Sequence, residues 1–162
     1  MGYYTKIIDV SADLPEESLG EAYARLVELN SHDEWKKGGG YSGGERVSKW
    51  FSWMPSDYPD KFETVAEILM ALGFNVSSYD GGISIDGYND KAGSEDVFVW
   101  YISDLFTENS FIHWKGEDGE EYRWEFGGGE KMTESVAITT WTSKQPFEPF
   151  NFSKIFSTLT KE

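Results

Sequence analysis

Apolar positions change their period several times along the chain, and each change marks an element. Residues 3–10 (YYTKIIDV) are β-branched and aromatic, which predicts a first strand. From Pro15 the period lengthens. Leu19, Ala22, Leu26 and Leu29 recur at helical spacing, with Glu16 and Glu17 suited to a first turn, so a helix is predicted as far as Asn30.

Residues 36–45 (KKGGGYSGGE) break the order. Gly38, Gly40 and Gly43 satisfy the G-x-G-x-x-G spacing of a dinucleotide-binding turn, just behind two lysines. That turn needs a strand before it and a helix after it, so that phosphate meets the helix N-terminus. Here a helix precedes it, and the strand-like residues 46–53 follow. No Gly-Lys-Ser/Thr closes the run either. The stretch reads as a mobile surface loop, a linker or contact arm.

After a turn containing Pro55 and Pro59, residues 61–72 (KFETVAEILMAL) carry a wide apolar helical face. Gly73 stands where a C-terminal cap is wanted, and Glu63 and Glu67 are expected one turn apart on the wet side. Residues 75–88 read as a hairpin around Asp80-Gly81-Gly82. A polar stretch, 89–96, then offers Ser94 as a cap for the next element. Residues 97–106 have high β propensity, but Phe98, Tyr101, Ile102 and Leu105 share one helical face, and helix is favoured. Strands follow at 110–115 and 120–126, joined through Asp118-Gly119. Tyr122, Trp124 and Phe126 alternate there with Arg123 and Glu125. A glycine turn at 127–129 leads to a last strand, 134–142. The tail, 146–162, is rich in phenylalanine and is expected to dock on the body or on a partner.

This order predicts an α+β fold: an antiparallel sheet with two or three helices packed on one face, in a single domain over residues 1–145. A strand-helix-hairpin unit recurs around 61–72 and around 97–106, as a duplication would leave it.

A chain of 162 residues is long enough for one well-filled core, burying about 70% of the surface its unfolded form exposes. With no cysteine, disulfides, thiol nucleophiles and Cys-ligated metals are excluded. No apolar run has the length of a membrane helix and the start lacks a signal sequence, so a cytoplasmic protein is expected.

Charge adds more. Fourteen basic residues against twenty-nine acidic ones give −15. Residues 51–108 alone hold eleven acids and two bases, a net of −9. Such a field repels nucleic acid and anionic membrane and attracts basic surfaces.

The opening MGYYT, residues 1–5, and the segment IHWKGEDGEEYRWEFGGGEK, residues 112–131, resemble a family of small uncharacterised proteins common in phages and mobile elements. The resemblance implies a compact α+β domain and a phage origin. It implies no activity, so no functional residue is carried over.

Among possible chemical sites, the two histidines, His32 and His113, have no zinc-ligand spacing around them. The acidic stretch 86–96 fails the EF-hand pattern, because Tyr88 and Lys91 fall where an acid and a glycine belong. Trp50, Trp53, Trp100, Trp114, Trp124 and Trp141 offer a pocket for a base or sugar, or else fill the core.

The reading that accounts for most of these features is a non-enzymatic acidic interaction protein. It would mimic nucleic-acid charge on the basic surface of a host or defence protein. Asp57, Asp60, Glu63, Glu67, Asp80, Asp86, Asp90, Glu95, Asp96, Asp104 and Glu108 would stand together as its working face. No cofactor, metal, membrane or direct nucleic-acid contact is expected. A small-ligand module and an enzyme are the alternatives.

Overall fold

The computed structural model describes residues 2–50 and 54–146. The fold is α+β, with seven strands in one antiparallel sheet and two in another. The first strand, β1 (Tyr4–Pro15), is longer than its sequence pattern suggests. The reason is a bulge at Ile8, where the β1 register shifts. Thr5 and Ile7 face the core before the bulge, whereas Val10, Ala12 and Leu14 do so after it. One extra residue therefore reverses the phase, and the alternation that would have revealed the second half is broken.

A short 3-10 turn (Glu16–Ser18) leads into α1 (Leu19–Leu29), which buries Ala22, Leu26 and Leu29. The glycine-rich stretch is a hairpin, not the loop expected from composition. Strand β2 (Gly38–Ser42) pairs with β3 (Glu45–Lys49). Gly43 and Gly44, both with positive φ (60° and 86°), supply the turn that matches strand twist. Of the strand expected at 46–53, residues 51–53 lie outside the described residues.

The helix expected at 61–72 is two helices. A single turn, α2 (Tyr58–Lys61), is followed by α3 (Val65–Leu72). They are separated because Thr64 caps α3 in a reciprocal capping box. Its Oγ1 accepts from the Glu67 N–H, and the Glu67 carboxylate accepts from the Thr64 N–H in return. Gly73, with φ 118°, ends α3 in the left-handed region.

The hairpin β4 (Asn75–Tyr79) and β5 (Gly82–Gly87) forms where it was expected. A short strand, β6 (Asn89–Lys91), occupies what read as polar loop. Helix α4 (Glu95–Ile102) gains no side-chain cap from Ser94, whose Oγ donates instead to the Trp50 carbonyl at 3.4 Å. Then come β7 (Ser110–Gly116), β8 (Glu121–Gly127) and β9 (Glu130–Val136). The last strand starts and stops earlier than the sequence suggests. Its partner β8 runs out: Val136 pairs with Tyr122, and only one further backbone bond, Ala137 to Glu121, is made.

The large sheet runs β4-β5-β1-β7-β8-β9, and β6 joins β1 beside β5. Two helix–hairpin units, α3-β4-β5 and α4-β7-β8, thus flank β1. The strands that precede those helices differ. One lies in the small sheet and the other pairs with β1. The helices cover one face, where Leu14, Leu26, Leu69, Phe98, Ile102, Ile112 and Trp114 make one core. Among the described residues, no helix covers the other face of the sheet, called the open face below. The phenylalanine-rich segment 147–162 lies outside the described residues.

Candidate interaction surface

The eleven carboxylates of the central third do not form one surface. Asp57, Asp60, Glu63 and Glu67 are exposed along α2 and the start of α3. Glu63 is not helical, and its backbone N–H donates to Glu67 Oε2 at 2.7 Å. Asp80 is exposed at the β4–β5 tip, and Asp86 next to Ile85 is exposed on β5. Asp90 is opposite Thr5, while Gly82 is opposite Pro15. Those contacts are ten residues apart along β1, or about 30 Å. Glu108 is exposed in the turn before β7, and Asp96 is half-buried at the start of α4.

Two of the eleven depart fully from the expectation. Glu95 is buried, because the first turn of α4 packs inward. Asp104 is held between Arg25 at 2.7 Å and Lys131 at 3.0 Å, so its charge is cancelled locally. Burial raises its pKa, but the hydrogen bonds from Arg25 and Lys131 outweigh burial and hold it below the usual carboxylate value.

The fold builds a different acidic region. Residues 7–24 contain Asp9, Asp13, Glu16, Glu17 and Glu21 and no lysine, arginine or histidine. Residues 62–90 contain Glu63, Glu67, Asp80, Asp86 and Asp90, again with no cation. The β1–β5 pairing zips these segments together, with Asp13 opposite Ser84 and Pro15 opposite Gly82. The Glu16 N–H donates to the Gly81 carbonyl at 2.8 Å, which fixes Glu16 and Glu17 beside the Asp80 tip. The Tyr79 phenol registers this charge. Its pKa is raised by partial desolvation and then by Asp13 and Glu17. Tyr23 of α1 donates to the Phe62 carbonyl at 2.5 Å, which brings the start of α3 against the same helix. Nine of these ten carboxylates are exposed. Asp13 is half-buried and accepts from Ser84. Only Glu21 has a cationic partner among the described residues, Arg25 at 2.7 Å. Asp90, at the far end of β1, belongs to the segment but not to the cluster.

No protein-family model, curated protein or solved structure matches the chain.

The aromatic residues divide. Trp50, Trp114 and Trp124 are buried in the core, Trp100 and Trp141 are exposed, and Trp53 lies outside the described residues. The five described ones do not line a common pocket. A separate cluster lies where α1, α4 and the 33–35 turn meet. There His32 stacks on Trp35 at 4.2 Å, and Trp35 meets Trp100 and Tyr101 edge-on. Lys131 already sits over Trp100, 5.1 Å from its ring centre.

The two histidines are far from one another in role. His32 pairs with Glu34 at 2.9 Å, and His113 pairs with Glu121 at 3.1 Å on the open face of the sheet. On that face Arg123 lies over Phe111 at 4.2 Å, beside a concavity of about 550 Å³. Among the described residues, no three His, Asp or Glu side chains come together as metal ligands, and Asp86, Asp90 and Glu95 do not converge. Also among them, no helix is long and apolar enough to cross a membrane.

Asp13, Glu16 and Glu17 lie outside the acidic stretch 51–108 that the charge count singles out. Each cation-free run is legible on its own, but the adjacency of the two depends on strand pairing.

Proposed function

We propose that the protein is a non-enzymatic acidic interaction protein, a phage-type inhibitor of a host or defence factor. Its acidic half occupies the partner's basic, nucleic-acid-binding surface. One observation carries the reading: two segments without a single cation, five carboxylates in each, are zipped side by side by β1 and β5, with Asp90 outside the resulting cluster. Charges spread around a molecule are screened within a Debye length of about 8 Å at physiological salt. Charges gathered on one half add their fields and steer a basic partner to that half. Phage origin rests on the resemblance of the opening residues and of residues 112–131.

The test is affinity capture from a bacterial lysate on the immobilised protein, at low and at moderate salt. Captured proteins should be basic, should elute as salt rises, and should be displaced by duplex DNA. A variant carrying Glu16→Gln, Glu17→Gln, Glu63→Gln and Asp80→Asn should lose them. Glu67 is left intact because it caps α3. Capture of neutral or acidic proteins only, indifferent to DNA and to these substitutions, would overturn the reading.

A further inference from the structure

The acidic end of β1 has a counterpart at the other end. Tyr4 and Lys6 are exposed on either side of buried Thr5, so both side chains belong to the open face of the sheet. The β1–β7 register sets Lys6 directly opposite Lys115, which is exposed between buried Trp114 and Gly116 and so faces the same way. On the other side of β1, β6 sets Asn89 opposite Lys6 and Lys91 opposite Tyr4. Cross-strand neighbours are about 5 Å apart at Cβ, and like charges placed there repel.

Among the described residues, no ion pair offsets that repulsion: neither Lys6 nor Lys115 forms one. Glu121 stands opposite Lys115 on β8, yet its carboxylate is turned to His113 at 3.1 Å. Lys91 lies over the Tyr4 ring at 5.9 Å. A chain with a net charge of −15 thus sets two of its fourteen cations opposite each other with no ion-pair partner among the described residues. They border a concavity of about 320 Å³, lined by Tyr4, Lys6, Asn89, Lys115 and Glu117. That volume suits a small ligand.

We propose that this corner binds a small phosphate-bearing ligand. Lys6 and Lys115 take the phosphate oxygens as point charges, which converts a repulsive pair into a stabilised one. The Asn89 amide supplies a neutral donor beside them, and Tyr4 offers an edge or face to a planar group attached to the phosphate. The ligand is small rather than a nucleic acid, because the exposed Glu117 lines the concavity itself and would repel neighbouring phosphates of a polymer. The site is independent of the acidic half and of the partner proposed for it.

The test uses the full chain and two probes, inorganic phosphate and adenosine monophosphate. Each is titrated against sodium chloride of matched ionic strength, with melting temperature and heat of binding as readouts. Both probes should raise the melting temperature above the chloride control, as a ligand selective for the folded state does. The double variant Lys6→Gln/Lys115→Gln should melt no lower than the wild type without ligand, since the repulsion is gone. It should lose binding by about tenfold or more. Each single variant should lose part of it, which covers a double variant that fails to fold. If Tyr4 contributes, adenosine monophosphate binds more tightly than inorganic phosphate, and Tyr4→Ala removes only that difference. Equal affinities assign recognition to the phosphate alone. A phosphate response no greater than that of chloride, or one retained by both lysine variants, would overturn the proposal.

Discussion

Replacing Glu95 by glutamine is expected to stabilise the protein at neutral pH. Glu95 is 6% exposed and has no ion-pair partner among the described residues. Burial pushes its pKa up; its own N–H and that of Gly93 pull it down, the Gly93 bond being 2.6 Å long. Asp96 beside it raises the value further, and Lys37 lowers it. The Glu95 charge in turn helps to raise the pKa values of Tyr88 and Tyr122, after their own burial.

The sign follows from linkage. Below the unfolded value of 4.5 the group is neutral in both states and costs nothing. As pH rises through the raised folded value, the folded state alone holds a buried charge, and stability is lost. A buried carboxylate costs several kcal/mol, of which two backbone hydrogen bonds return about 3. Glutamine keeps the shape and one acceptor without the charge, so a gain of about 1–2 kcal/mol at pH 7.5 is expected. For a chain of this length that is about 3–6 °C in melting temperature. Thermal unfolding followed by circular dichroism at pH 7.5 and pH 4.5 measures it, and the gain should shrink at the lower pH. A variant less stable than the wild type at pH 7.5, or a difference that ignores pH, would refute the reasoning.

Two further substitutions test the scaffold. Asp104→Asn removes the negative charge shared by Arg25 and Lys131 while keeping an acceptor oxygen, and should cost about 1 kcal/mol at pH 7 in urea unfolding. Because the folded pKa of Asp104 is depressed, the wild type loses this contribution as pH falls from 3.8 through the folded value, and the two proteins should converge there. Thr64→Ala removes half of the α3 capping box. It should cost about 1 kcal/mol with an unchanged urea slope, since the exposed surface is the same.

Much of the fold was legible because its signals are local. The Leu19–Leu29 spacing, the Asp80-Gly81-Gly82 turn and the alternation around Trp124 each concern residues within a few positions of one another. The misreadings have local causes of another kind. Gly43-Gly44 makes a hairpin of a stretch whose glycines suggested a loop, and Thr64 with Glu67 divides an apolar run that looked like one helix. The end of β9 was not visible because it is set by where β8 stops.

The surface chemistry was legible only in part. The sequence alone determined the amounts: −15 overall, two cation-free runs, fourteen cations, no cysteine. Tertiary structure decided which charges meet. It placed residues 7–24 beside 62–90, buried Glu95, tied Asp104 to Arg25 and Lys131, and set Lys6 against Lys115. Charge count is a property of composition, whereas a field depends on distances. In an antiparallel sheet those distances follow from register, which pairs residues far apart along the chain.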